Sequence, residues 1–233
     1  MTQPPYKRIA VATTFSPRFE QVLAEAKRVR DRLAAELNLI YVGEKDDETT
    51  RRFADALATM ELPHDSSIHY HQGSPAEAIL EAVHGNHIEL IIAGALEKEV
   101  VLRPFLGNVA RRLVREARSS VMLFTKPERE PKPFRRIVFF VPDYSAHTRR
   151  GLEMSLHLAE KESCETLYVI RVYTTFDAAR ARASQGESSE DQPAARTLEE
   201  EEEALDEFID EIAGDTALEI DARCIRGNTG FAA

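Results

Sequence analysis

Tryptophan is absent from this 233-residue chain, and cysteine occurs only twice. Cys164 and Cys224 lie far apart and match no metal-ligand spacing, so they read as two buried free thiols rather than a zinc site or a disulfide framework. Long apolar runs are lacking as well. No stretch approaches the roughly 20 residues that cross a bilayer, and the opening MTQPPYKRIAVATT has no basic-then-apolar order of an export signal. A reducing, cytoplasmic setting and no membrane insertion are the expectation. Positive charge is scarce where acid is dense. Residues 134–233 hold 11 Lys and Arg against 21 Asp and Glu, and 15 of those acids fall within 187–221. Such a surface repels phosphodiester backbones, and no basic-aromatic patch offsets it, so nucleic acid is excluded as a partner.

What is present is an alternation of short apolar runs with helical periodicity. RIAVATT (8–14) reads as a strand, and FEQVLAEAKRVRDRLAAEL (19–37) as a helix, with Val22, Leu23, Ala26, Val29 and Leu33 on one face. LNLIYVG (37–43) and SIHYHQG (67–73) read as strands either side of a helix over 48–62. Ser74, Pro75 and Glu77 form a capping-box start to a third helix. IELIIAG (88–94), a helix at 108–117 and a strand at 120–126 complete five strand–helix steps. Strands alternating with helices predict an α/β fold, an open five-stranded parallel sheet with helices on both faces.

The pattern then restarts. After the proline-rich linker PEREPKP (127–133), FRRIVFFVPDYS (134–145), a helix over 148–162 and TLYVIRVY (166–173) repeat the first strand, helix and strand. Ile9 and Val42 stand 33 residues apart, and Ile137 and Val172 stand 35 apart. An acidic insertion at about 175–200 reads as a solvated, partly disordered excursion leading into a glutamate-rich helix. The Glu199–Glu203 run reads as a solvated helix start. The second copy carries no counterpart of the fourth strand, the glycine loop or the fifth strand. It is expected to be C-terminally incomplete, with a sheet edge that needs covering. The expected domains are 1–126, complete, and 134–233, partial.

In order and spacing, KRIAVATTFSP, LNLIYV, QGSPAEAIL, IELIIAG and SSVMLF resemble the universal stress protein family, in tandem. The resemblance implies the adenine nucleotide alpha hydrolase-like fold and dimerisation through the fifth strand, here Val121 to Phe124. It also implies an adenine nucleotide, ATP or AMP, as ligand. The family's phosphate loop spaces a glycine, two residues, a glycine, nine residues, then glycine with Ser or Thr. Gly94 and Gly107 keep that spacing, but Glu97 takes the middle glycine's place and Asn108 the hydroxyl's. Thr14 stands where the family carries an acidic residue at the first strand's end. Ala12, Val42 and Val109 complete the implied pocket. In the second copy Asp143 suits the acidic position and Val172 the adenine-facing backbone.

Glu97 is the consequential departure. Two unit charges about 4 Å apart repel by about 4 kcal/mol at an effective dielectric near 20, and a charge-assisted hydrogen bond returns about 1.5–3 kcal/mol. Triphosphate therefore loses unless Glu97 turns outward or pairs with Lys98 or Arg103, while Asn108 is expected to serve as helix N-cap. Arg111, Arg115 and Arg118 read as a solvated stripe. His69 and His71 share one side of a strand with no Cys or carboxylate at a supporting spacing. They and His64, His84 and His87 read as surface residues, and no metal is implied. Neither Ser74 nor Ser145 lies in a nucleophile elbow, and FSPRFEQ lacks the paired histidines of the fold's adenylyl-transfer enzymes. The expected function is a non-enzymatic, dimeric stress-response regulator with weak or absent nucleotide binding. The alternatives are an ATP or AMP sensor, or the soluble regulatory domain of a transporter.

Overall fold

A computed structural model describes residues 5–63, 66–95, 107–184 and 196–227, with side chains omitted at 180–184. The chain divides into two compact units, Met1–Lys132 and Pro133–Ala233.

In the first unit β1 (Arg8–Thr13), β2 (Glu36–Val42), β3 (Ile68–His71), β4 (Leu90–Gly94) and β5 (Ser120–Phe124) form one sheet in the order β3-β2-β1-β4-β5. All its pairings are parallel. The central strands are apolar on both faces, as a sheet covered twice demands: Ile9, Ala10, Ile91 and Ile92 are fully buried. Helices α3 (Pro75–Gly85) and α4 (Asn108–Glu116) cover one face, where Ile79, Ala82, Val83 and Leu113 pack on Ala10, Ile40, Ile91 and Ala93. On the other face α1 (Phe19–Leu33) and α2 (Asp47–Thr59) enclose rings of Phe15, Phe19, Tyr41, Phe53 and Tyr70 with centroids 4.6–6.1 Å apart. Each fully buried Leu, Ile or Phe there contributes about 1.5–3 kcal/mol.

Local chemistry sets the element ends. The first helix stops at Leu33, short of the expected Leu37, because Ala34 turns left-handed at φ 51° and the chain enters β2 at Glu36. The second helix starts where Asp46 accepts the Thr49 amide at 2.7 Å, an N-cap bond that holds its carboxyl below the usual range. The expected capping box at the third helix does not form. Ser74 occupies the N-cap without a side-chain bond, and the Glu77 carboxylate instead accepts from Arg112 at 3.3 Å.

The second unit carries β6 (Arg136–Val141), α5 (Ala146–Glu162), β7 (Thr166–Thr174), α6 (Thr175–Ser184), α7 (Leu198–Ala213) and β8 (Glu219–Gly227), with a parallel sheet ordered β6-β7-β8. Helices α5 and α7 cover one sheet face, through Leu152, Leu156, Leu205, Phe208 and Ile209 against Val141, Leu167 and Val169. The excursion expected from 175 opens as a helix through Ser184, while 185–195 lie outside the described residues. Both cysteines are free, and each is half-buried rather than buried. No described helix is long and apolar enough to cross a membrane.

Candidate functional site

In an open α/β sheet, ligands collect outside the carboxyl ends of the strands where the strand order reverses. In the first unit that point lies between β1 and β4, since β2 continues to one side of β1 and β5 flanks β4 on the other. A cavity of about 390 Å³ opens there. Ala12, Thr13 and Thr14 from the end of β1, Val42 from β2 and Ala93, Gly94 and Ala95 from β4 form its floor. Phe19 and Val22 of α1, Ile79 of α3 and Gly107, Val109, Ala110 and Leu113 around the start of α4 form its walls.

Gly94 lies against α1: a Cβ at that position would come 2.9 Å from Val22 Cγ2, so any other residue there would force the Val22 side chain to shift. Gly107 is the N-cap of α4, in extended conformation and with no side-chain cap bond. The expectation that Asn108 caps the helix is corrected: Asn108 already has a helical backbone as the first residue of α4, and its side chain is exposed. Among the described residues no side chain caps the first amides of α4, and no acidic residue occupies its first turn. Thr14 is exposed at the cavity mouth, and the neighbouring Thr13 is buried with its hydroxyl 3.5 Å from the Thr14 carbonyl oxygen.

Of the residues singled out in the first copy, Ala12, Thr14, Val42, Gly94, Gly107 and Val109 therefore surround one cavity, and Asn108 lies outside its lining. Glu97, Lys98, Glu99, Arg103 and His64 lie outside the described residues. His69 is a correction too. It is half-buried, and its Nε2 lies 2.9 Å from Asn38 Oδ1, a bond that fixes β3 to β2. Burial, then the neighbouring His71, hold His69 below the usual imidazole range. Among the described residues no cluster of His, Cys, Asp or Glu could hold a metal ion.

In the second unit Asp143 is committed to the start of α5. Its Oδ1 accepts from the Ser145 amide at 2.9 Å and the Thr148 hydroxyl at 2.7 Å, and these bonds pull its carboxyl down to about 2. Val172 lies on β7, partly exposed and in register with Ile225. A polar cluster occupies the ends of β6 and β7. The Arg171 Nε donates to Glu201 Oε1 at 2.8 Å, the Tyr144 hydroxyl donates to the same oxygen at 3.0 Å, and Arg171 Nη1 donates to the Pro142 carbonyl at 2.8 Å. Burial, the largest single influence, works against the Arg171 charge, but the bond to Glu201 and the charges of Glu201, Tyr144 and Asp177 together outweigh it, and its affinity for the proton rises. Burial and then the Glu201 charge push the Tyr144 hydroxyl up. Glu201 is 6% exposed, which corrects the reading of the glutamate run as wholly solvated. The signal was there: Glu201 falls at helical spacing with Leu205, Phe208 and Ile212, on the buried face of α7.

Residues 46–125 match the model of the universal stress protein family. The segment from α2 to β5 belongs to that family. No curated protein matches the chain in sequence. Among solved structures, a universal stress protein from Archaeoglobus fulgidus DSM 4304 is similar over 97% of this chain and 80% of its own, at TM-score 0.64 and 16% identity. A putative universal stress protein from Pseudomonas aeruginosa UCBPP-PA14 is similar over 93% of this chain and 74% of its own, at TM-score 0.62 and 16% identity. At these identities the likeness shows the fold. The open parallel sheet of the first unit is the universal stress protein, adenine nucleotide alpha hydrolase-like architecture.

Proposed function

We propose that this chain is a non-enzymatic stress-response regulator. Its universal stress protein domain takes an adenine nucleotide weakly in the cavity at the β1–β4 switch, and it acts through self-association along β5. The second unit, on this reading, is a partial copy of the same domain, corresponding to β1, β2 and β3 of the first. The observation that supports the ligand is the cavity itself, formed at the carboxyl ends of the strands beside the start of α4. Weakness follows from chemistry. Thr14 offers a neutral hydroxyl where the resemblance expects a carboxylate to grip a ribose, and the sequence has a glutamate at 97 where the resemblance expects the loop's middle glycine, adding like charge to an anion site. Regulation without catalysis suits the strand-end serines, since Ser74 sits at the start of α3 and the Ser145 hydroxyl faces the Thr148 amide at 3.4 Å. Self-association is supported by the sheet order, which puts β5 at an outer edge.

Thermal unfolding of the full chain with ATP, AMP and cyclic nucleotides tests the ligand. A ligand at 100 times its Kd adds about 2.7 kcal/mol to folding, so weak sites shift Tm only at millimolar nucleotide. The expected outcome is a small rise that grows in the Glu97→Gly, Asn108→Ser double variant. No shift in either protein, with any nucleotide, removes the ligand from the proposal and leaves self-association alone.

A further inference from the structure

Strand β5 ends at Phe124, which is buried and whose carbonyl accepts the Ala95 amide at 2.9 Å. The linker that follows does not leave the first unit at once. It crosses the amino-terminal half of α1 and is held there at three points. Arg18, at the N-cap of α1, donates from Nη1 to the Thr125 carbonyl at 3.5 Å. The Glu128 amide donates to Glu25 Oε1 at 3.3 Å, and Arg129 pairs with Glu20 at 2.7 Å. Between these points Pro127, half-buried, lines the cavity at the β1–β4 switch, which Phe19 and Val22 of α1 also line.

Glu25 is the anchor. It is 5% exposed, and a buried carboxylate needs donors for its oxygens. Arg28 serves Oε2, through Nε at 3.3 Å and Nη2 at 3.0 Å, and Oε1 receives the linker amide. Lifting the linker takes that donor from a buried acceptor, a desolvation cost that favours the docked state. The Glu20–Arg129 pair is exposed on both sides and adds little. Pro127 has no amide to satisfy and a fixed φ, so it faces the cavity without leaving an unpaired donor there.

We propose that residues 125–129 are a ligand-dependent strap: docked on α1 they complete the cavity wall, and a bound adenine nucleotide holds them there. This rests on the nucleotide reading of the same cavity. A ligand that touches Pro127 gains that contact only with the docked strap, so it favours the docked state. By linkage, a loosened strap weakens the ligand to the same extent. The strap continues into the second unit, whose Phe134 amide donates to Glu162 at 3.1 Å. Occupancy of the cavity therefore sets how much chain, 130–133 or 125–133, is left as a free tether.

Hydrogen exchange of the full chain with and without millimolar AMP tests it, read at residues 107–110 for the ligand and at 125–132 for the strap. The expected result is slower exchange at both, by about threefold or more at the Glu128 amide. Pro127→Gly, which takes the ring from the cavity wall and frees the backbone, removes the protection at 125–132 and raises the apparent Kd for AMP about threefold. Arg129→Glu sets like charges against each other at Glu20 and raises the Kd in the same way. Combining it with Glu20→Arg recovers the affinity, which a merely structural defect would not do. Protection at 107–110 with 125–132 unchanged overturns the strap and leaves the ligand reading intact. So does a charge-swapped double variant that binds AMP no better than Arg129→Glu. No protection at 107–110 brings down the nucleotide reading, and the strap with it.

Discussion

Ala34 and Ser163 occupy the same place in the two units, each ending the helix that follows the first strand, and each adopts a left-handed backbone at φ 51° and 54°. An L-residue pays about 1–2 kcal/mol for that conformation, and glycine does not. Glycine gives back part of the gain through its greater freedom when unfolded. Ala34 is exposed, so its methyl group contributes little packing. Ala34→Gly is therefore expected to stabilise the first unit by about 0.5–1 kcal/mol, read as a higher midpoint in urea unfolding. Glu201 shows the opposite case. It is buried against Arg171, whose side chain is 18% exposed, and removing one partner of such a pair leaves the other charge without compensation. Glu201→Gln is expected to cost the second unit about 3 kcal/mol in the same measurement, and Glu200→Gln, in the exposed capping box of α7, under about 1 kcal/mol.

Elements were legible in the sequence wherever burial and periodicity agree. The five strands of the first unit and their helices follow from apolar runs such as LIIAG and from the Val22, Leu23, Ala26, Val29 stripe, because a doubly covered parallel sheet requires both. Their ends were less legible. Leu33 closes α1 through a backbone conformation that alanine does not advertise, so the stripe alone ran on into β2. The site was readable to the extent that glycine spacing carries it. Gly94 and Gly107 lie 13 residues apart, and that spacing places both at one cavity. The capping role given to Asn108 failed because Gly107, lacking a side chain, takes the extended N-cap conformation first. Glu201 was hidden by its neighbours: within a run of five glutamates only its helical phase separates it, and its partner Arg171 lies on a different element, 30 residues earlier.

At the scale of the whole molecule, the proposed self-association rests on the β5 edge, which a two-fold axis would pair with the same edge of a second copy. A charge on β5 tests it. Met122 lies mid-strand, in register with Ile92 and partly exposed, so Met122→Lys sets a cation on the edge strand and discourages pairing with another edge. If β5 associates, the variant loses that contact and falls to a monomer of 26.2 kDa, with a far-ultraviolet circular dichroism spectrum like that of the wild type. If sedimentation instead gives Met122→Lys the wild-type mass at every concentration, β5 is not an interface, and the self-association half of the proposed function falls with it.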